Sequence, residues 1–572
     1  MAILACLSSA QAAPSTSQQF KDIYSTEWKW RVAETLERDE DEEGIRATLP
    51  QVSAAVQARR LAYWKAVLAR LDKLAQDQLT PADRINFAVY HAQIAASVAA
   101  IEFREFEKPV NADSAFWSNT SSVARQSFKS QADYEAFLKM MADLPRYFSE
   151  QLKNLEAGLA RGFTPPQVTL VGRDASLVSI AEAKSPESTV FYLPFKAMPA
   201  SIPLARQQAL RAEAVTRIRE MVQPAYASVL QFMRTQYVPK ARTTLAARDL
   251  PDGKAYYQSK ILEFTTTSMT PDEIHAIGLQ EMDKIRAEMQ LVMKQVGFEG
   301  ELPAFLNFLR TDPRFYAKTP EELLMRAAYI AKKFDGKVDR FFGHLPRRRF
   351  AIVPVPDDQA PFYTSGRGGP GVYFVNTYDL PSRALYSLPA LTLHESAPGH
   401  AFQMPVALEP KGDPLFRRAY VSAYGEGWAL YSERLGVEMG IYETPYEVFG
   451  MLSYQAWRAS RLVVDTGLHA KGWTREQAQA YLRDNTALST HEVETEVDRY
   501  ISWPGQALSY YLGQMAIFEA RRKAESALGP KFDIRAFHDT VLRLGSVPLP
   551  TLAARIDQFI ADGGKSPYAK ND

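Results

Sequence analysis

Residues 51–74 read QVSAAVQARRLAYWKAVLARLDKL. Leu61, Trp64, Leu68 and Leu71 recur at three- and four-residue intervals, while Arg59, Lys65 and Lys73 fall elsewhere on the turn. That is the pattern of an amphipathic helix with one buried stripe. Working outward, the same periodicity returns around 84–107, 132–160, 204–238 and 270–297. Thr270-Pro271-Asp272-Glu273 adds a start signal, with a capping hydroxyl, a proline at the first helical position and a glutamate at the third. Residues 163–205 (FTPPQVTLV, STVFYLPF) predict a long irregular connection. Residues 349–377 hold two strand-like runs, Phe350–Val355 and Val372–Asn376, separated by SGRGGPG. These predict a small antiparallel sheet. The fold expected is mainly α-helical, with that one sheet beside the chemistry.

Composition narrows the function. The chain has 572 residues, 46% hydrophobic and 23% charged, which is ordinary globular composition. Lys plus Arg is 67 against 66 for Asp plus Glu, so a general nucleic-acid or anionic-membrane binder is not expected. No apolar run approaches the roughly 18 residues a membrane-spanning helix needs. A single cysteine, Cys6, leaves no intrachain disulfide and no thiolate cluster. A metal in this chain must be held by histidine and carboxylate. The charged run Arg38–Glu43 (RDEDEE) reads as a solvated acidic face or loop.

The first residues, MAILACLSSAQAAPS, are small and apolar and end in Ala10-Gln11-Ala12, a signal-cleavage pattern without the usual positive start. Ile3-Leu4-Ala5-Cys6 also resembles a bacterial lipoprotein box, which would put a lipid anchor on Cys6. The reading is a periplasmic or secreted protein, with a cytoplasmic enzyme as the alternative. The organisation expected is a signal remnant over 1–13, an N-terminal helical region over 14–250 and a catalytic region over 251–572, the last two packed as one unit.

The chemistry follows the sheet directly, in Leu393-His394-Glu395-Ser396-Ala397-Pro398-Gly399-His400. Tyr424-Gly-Glu426-Gly-Trp-Ala-Leu-Tyr-Ser-Glu433 supplies carboxylates on the next helical segment. Hydrolytic zinc commonly takes two histidines and one glutamate and leaves a fourth position for water, whose pKa drops towards ~7. A glutamate beside the first ligand can accept the proton of that zinc-bound water and pass it on, as a general base. Two histidines four apart share a helix face, but here the spacing is six, about 240° around and about 9 Å along an ideal helix. Such a helix cannot chelate one ion. Pro398-Gly399 must break it so that His400 turns back towards His394.

These residues carry a resemblance. HESAPGH, YGEGWALYSE, TPDEIHAIGL and EVDRYISWPGQALSYYLG are similar to segments of a large bacterial family catalogued as a domain of unknown function. That family is marked by His-Glu-x-x-Pro-Gly-His and regarded as related to the gluzincin metallopeptidases. The likeness runs from about residue 20 to the end. It implies a large helical peptidase fold with a deep cleft and one Zn(2+) per chain. Carried over by residue, it makes His394, His400 and Glu426 ligands, Glu395 the general base, and Glu433 a carboxylate supporting a ligand. Related zinc oligopeptidases place a pair of oxyanion donors about ten residues apart downstream, and Tyr500 and Tyr510 fit that spacing.

Other candidates come from the residues themselves. Arg499 could hold a peptide carboxylate, and Val372–Asn376 could lend its edge to an extended peptide. His275 is a candidate for substrate contact, and His469 is the next oxyanion donor to test. His91, His344 and His538 read as structural, and His491-Glu492 as a decoy lacking a further ligand. The leading expectation is a zinc metallopeptidase, a hydrolase of short peptides in a restricted cleft. The alternatives are a zinc hydrolase of a non-peptide amide or ester, and a non-catalytic peptide-binding protein.

Overall fold

A computed structural model describes residues 14–35, 44–112, 114–357, 360–362, 364–410 and 412–568. Residues 1–13, with the cleavage and lipoprotein signals, and the acidic run 38–43 lie outside them. The described chain is predominantly helical with one small sheet. The chain opens with a helix, α1 (Thr16–Thr35), and the periodic segments form α2 (Ala54–Leu71), α3 (Pro81–Glu102), α4 (Gln131–Ala160), a helical run over 204–240 widened at Ile218–Val222 and Met233–Tyr237, and α5 (Pro271–Gln295). The cap at α5 forms as expected: Thr270 Oγ1 accepts from the Glu273 amide and Glu273 accepts from the Thr270 amide, at 3.3 and 2.8 Å. The connection 163–205 breaks into short helical turns, pinned by the buried rings of Phe191 and Phe195.

Two hydrophobic clusters organise the packing. One gathers α4 with residues up to Ala241, around Phe137, Phe148 and Tyr226. The larger joins α1, α2 and α3 to everything from Leu250 onward. Burial of this kind contributes about 25 cal/mol per Å² of apolar surface, so the helices carrying the site rest on the larger cluster's rigidity.

Those helices are α6 (Leu388–Glu395), α7 (His400–Leu408), α8 (Ser422–Glu438), α9 (Pro445–Thr466), α10 (Thr490–Ser502) and α11 (Ser509–Leu528). The sheet lies against α6. It has three strands, β1 (Ala351–Pro354), β2 (Gly366–Gly369) and β3 (Val372–Val375), in the order β1-β3-β2. The two runs expected to pair antiparallel pair in parallel, Ala351 opposite Val372. The antiparallel partner of β3 is the glycine-rich stretch itself, Gly368 opposite Tyr373. β3 is therefore paired on both sides, so it offers no edge for β-augmentation, and the edges of the sheet are β1 and, on the side of α6, β2. Among the described residues no helix is long and apolar enough to cross a membrane.

Candidate metal centre

α6 ends at Glu395 and α7 begins at His400. Between them the chain reverses sharply, through a cis Ala397–Pro398 peptide, and the Gly399 amide donates to the Leu393 carbonyl at 3.0 Å. Only glycine fits there, because a Cβ on residue 399 would fall 1.9 Å from the His394 carbonyl oxygen. Trp428 of α8 donates its indole N–H to the Pro398 carbonyl at 2.8 Å, satisfying a group the break leaves unpaired. The result is what the six-residue spacing demands. The His394 and His400 rings lie 5.0 Å apart, nearly perpendicular.

Glu426, on the first half of α8, faces both. Its Oε2 lies 3.5 Å from His394 Nε2 and 3.3 Å from His400 Nε2. Ligand atoms of His394, His400 and Glu426 fall within 4.8 Å of one another, the one group of three such residues among the described residues placed so that it could hold a metal ion. Two turns further along α8, the fully buried Glu433 accepts from His394 Nδ1 at 2.7 Å. That bond fixes the tautomer and turns the Nε2 lone pair of a neutral His394 towards the cluster. Burial opposes a charge on His394, yet the hydrogen bonds to Glu426 and Glu433 carry its pKa up to about 10. Burial likewise works against Glu426, but the two imidazoles hold its carboxyl well below the usual range. His400 Nδ1 is buried with no hydrogen-bond partner among the described residues. The set of two imidazoles and one carboxylate, with no thiolate, suits a borderline divalent cation of the first transition row and its neighbours.

Glu395 is held from the opposite side. Its Oε2 accepts from the Gly368 amide of β2 at 2.6 Å. Strand and helix approach so closely that a Cβ on Gly368 would meet the Glu395 carbonyl oxygen at 1.7 Å. The carboxylate is thus aimed by main chain, on a rigid element.

The remaining predicted residues divide. Tyr510, on α11, stacks on His394 at 6.3 Å and 17°, and Arg499 Nη2 approaches its hydroxyl at 3.4 Å. Tyr500 is fully buried, its hydroxyl accepting from Trp457 Nε1 at 2.9 Å and Arg461 Nε at 2.8 Å. Arg499 also donates to Gln506 Oε1 at 2.9 Å. His275 is engaged with Thr466 Oγ1 at 2.8 Å and sits edge-on to Trp473, neither of them part of the cluster. His469 uses both nitrogens on backbone, the Ala247 amide and the Tyr500 carbonyl, and burial takes its pKa down to about 3. His538 is similarly committed, to the Phe341 carbonyl and the Tyr431 hydroxyl. His91 faces Asp72 and His344 faces Glu409. Glu492 caps α10 through Ser489 and accepts from Ser365, a capping box that Ser489-x-x-Glu492 already spelled out.

Sequence reasoning missed Tyr420. Its ring lies 6.4 Å from His400. One edge is open to solvent, but the hydroxyl end is enclosed against Glu426. Burial pushes this phenol far up, and the charge of Glu426 and the nearby Tyr510 add to it.

Comparison with known proteins fits this architecture. Residues 37–556 match the family described as bacterial protein of unknown function, DUF885. The chain belongs to that family. Among solved structures, a protein described as a candidate lipoprotein of Colwellia psychrerythraea superposes with a TM-score of 0.87 at 26% identity. The match covers 96% of this chain and 100% of that one. A second candidate lipoprotein of unknown function, from Shewanella oneidensis, shares the fold at a TM-score of 0.67 and 18% identity, covering 95% and 99% of the two chains. No curated protein matches. The DUF885 fold therefore extends over nearly the whole molecule.

Proposed function

We propose that this DUF885 protein is a zinc-dependent metallopeptidase, related to the gluzincins, that hydrolyses short peptides. The observation that carries the reading is the convergence of His394 Nε2, His400 Nε2 and Glu426 Oε2 beside an independently aimed carboxylate, Glu395. His394, His400 and Glu426 would hold the ion. Zinc, when bound, supplies Lewis acidity that makes water nucleophilic near neutral pH. Glu395 takes the proton of the attacking water and passes it to the leaving amine, and the Gly368 amide keeps its carboxylate in place. The hydroxyls of Tyr420 and Tyr510 are the donors nearest to where negative charge develops on the substrate oxygen. Apart from the Gly368 amide, which is held by Glu395, the outer edge of β2 offers main-chain groups to an extended peptide.

Export to the cell envelope belongs to the same reading. It is supported by the lipoprotein-like start ILAC and by the Colwellia relative described as a candidate lipoprotein. The test is direct. The purified protein should take up one zinc per chain and, incubated with a mixed peptide library, yield new termini detectable by mass spectrometry. Glu395→Gln should keep the metal and abolish the products. A protein that binds no transition metal after reconstitution refutes the site, and a zinc-loaded one that cleaves only non-peptide esters or amides refutes the substrate.

A further inference from the structure

α9 passes behind the cluster and turns two guanidiniums inward. Arg458 is 3% exposed and Arg461 1%. Arginine is almost never fully buried unless paired, and each donor left unsatisfied in the interior costs stability. Yet Arg458 Nε and Nη1 and Arg461 Nη1 have no hydrogen-bond partner among the described residues. Both guanidiniums lie over the ring of one residue, at 3.8 and 4.6 Å from the Trp457 centroid. Arg461 also packs over Tyr510, at 4.3 Å, and Tyr510 in turn stacks on His394. Arg461 is therefore one aromatic contact removed from His394, and Arg458 reaches it through Glu433, at 3.9 Å.

The acidic groups facing them are too few. Arg461 Nη2 donates to Glu496 at 2.9 Å, and Arg499 Nη1 lies 3.5 Å from the same carboxylate. Arg458 faces Glu433 at 3.9 Å, whose Oε1 is committed to His394 and whose Oε2 is buried without a hydrogen-bond partner among the described residues, so neither side of this pair makes a direct hydrogen bond to the other. Glu492, further along α10, is taken by Ser489, Ser365 and Arg383. Glu496 pairs with Arg461 and Arg499, and burial notwithstanding, the charges of these arginines hold its carboxyl below the ordinary glutamate range. The arginine cluster meets solvent where Arg499 and Glu496 are 21% and 10% exposed.

From this we infer that Arg458 and Arg461, with Arg499 at the opening, form a carboxylate-binding subsite that receives the C-terminal carboxylate of the substrate. This inference rests on the peptidase reading and gives it a substrate class. An extended chain advances about 3.3–3.6 Å per residue, so one or two residues bridge the cluster and the guanidiniums. The enzyme then releases single residues or dipeptides from C-termini, or splits di- and tripeptides. The free N–H groups of Arg458 (Nε, Nη1) and Arg461 (Nη1) suit this acceptor, since a carboxylate takes charge-assisted hydrogen bonds from more than one donor.

The experiment uses the unmodified, zinc-reconstituted protein and three peptide sets of the same sequence. One set has free C-terminal acids, one has C-terminal amides, and one has amides with aspartate at the last position. Binding is read by calorimetry, separately from hydrolysis. Free acids should bind and be processed roughly 10²-fold better than plain amides, because an amide leaves buried donors unpaired. Aspartyl amides that match the free acids overturn the assignment to the C-terminal carboxylate, since a side-chain carboxylate then serves as well. Acid and amide cleaved at equal rates overturn the subsite and leave the peptidase reading standing. Acid bound over amide by that margin with no hydrolysis of either keeps the subsite and removes the peptidase reading. If neither binds, the subsite falls. Arg461→Lys, which keeps the charge and removes the free Nη1, should erase the preference for free acids over amides in the binding measurement; a preference kept within threefold of the parent overturns the role of Arg461.

Discussion

Consider Glu433→Gln. The carboxylate is fully buried on α8, and its Oε1 accepts the Nδ1 proton of His394 at 2.7 Å. Glutamine can keep the acceptor oxygen in nearly the same place, so the substitution removes the charge with little change of shape. A hydrogen bond with a charged partner contributes about 1.5–3 kcal/mol, against about 0.5–1.5 for a neutral pair. The difference, on the order of 1–2 kcal/mol, is an imidazole made less basic and less firmly oriented. At 1.4 kcal/mol per factor of ten, zinc affinity should fall roughly 10-fold and not more than about 100-fold. Competition against a chromophoric chelator at fixed pH measures it. Glu438→Gln is the control, because that residue is on the same helix but pairs with Arg521 at the surface. A Glu433→Gln protein that folds normally and binds zinc within twofold of the parent would refute the argument that this carboxylate supports the ligand.

Four further outcomes are expected. Glu426→Ala should lose the metal, whereas Glu395→Gln should retain it and lose nearly all turnover, as metal analysis and peptide assays on the same samples will show. Tyr510→Phe should lower kcat and kcat/KM together by roughly 10²–10³, while Tyr500→Phe, which leaves Trp457 and Arg461 without their acceptor, should cost about 1–3 kcal/mol of stability and spare kcat; the reverse pattern would exchange their roles. Gly368→Ala should displace β2 from the Glu395 carbonyl and cost at least about tenfold in turnover with zinc content unchanged, since it disturbs the aim of a general base; an unchanged rate would show that the amide of residue 368 is dispensable. Burial lowers His538 to about 3, so between about pH 6.5 and 3 the unfolded chain binds a proton there that the folded chain does not. Stability must fall as pH drops through that window, and melting curves of His538→Gln should show a shallower acid slope than the parent.

Most of the helical frame was legible, because α3, α4 and α5 advertise themselves by period and, at Thr270, by a cap. The metal cluster was legible too, in the unusual sense that an impossible spacing announced a break. The sheet was misread for a specific reason. Gly366–Gly369 has no β-branched residue and no alternation, so nothing distinguishes it from a turn until Val372–Val375 is seen to need a second partner. Tyr420 precedes α8 on non-helical chain, and no periodicity ties it to Glu426. Arg458 and Arg461, three apart on a long helix, look like an ordinary solvated pair, since only the packing of α10 and α11 against α9 buries them.

The glycines of β2 have a consequence for selectivity. Apart from Arg367, that strand has no side chains with which to sort what lies along it. A chain docked there is recognised by its peptide groups, which every sequence shares, so this edge senses direction and extension and is blind to residue identity. Discrimination must then come from the ends of the bound molecule, where the walls are charged. On the peptidase reading proposed above, such an edge would make the protein indifferent to vocabulary and strict about length, which suits clearing miscellaneous fragments better than cutting a chosen site.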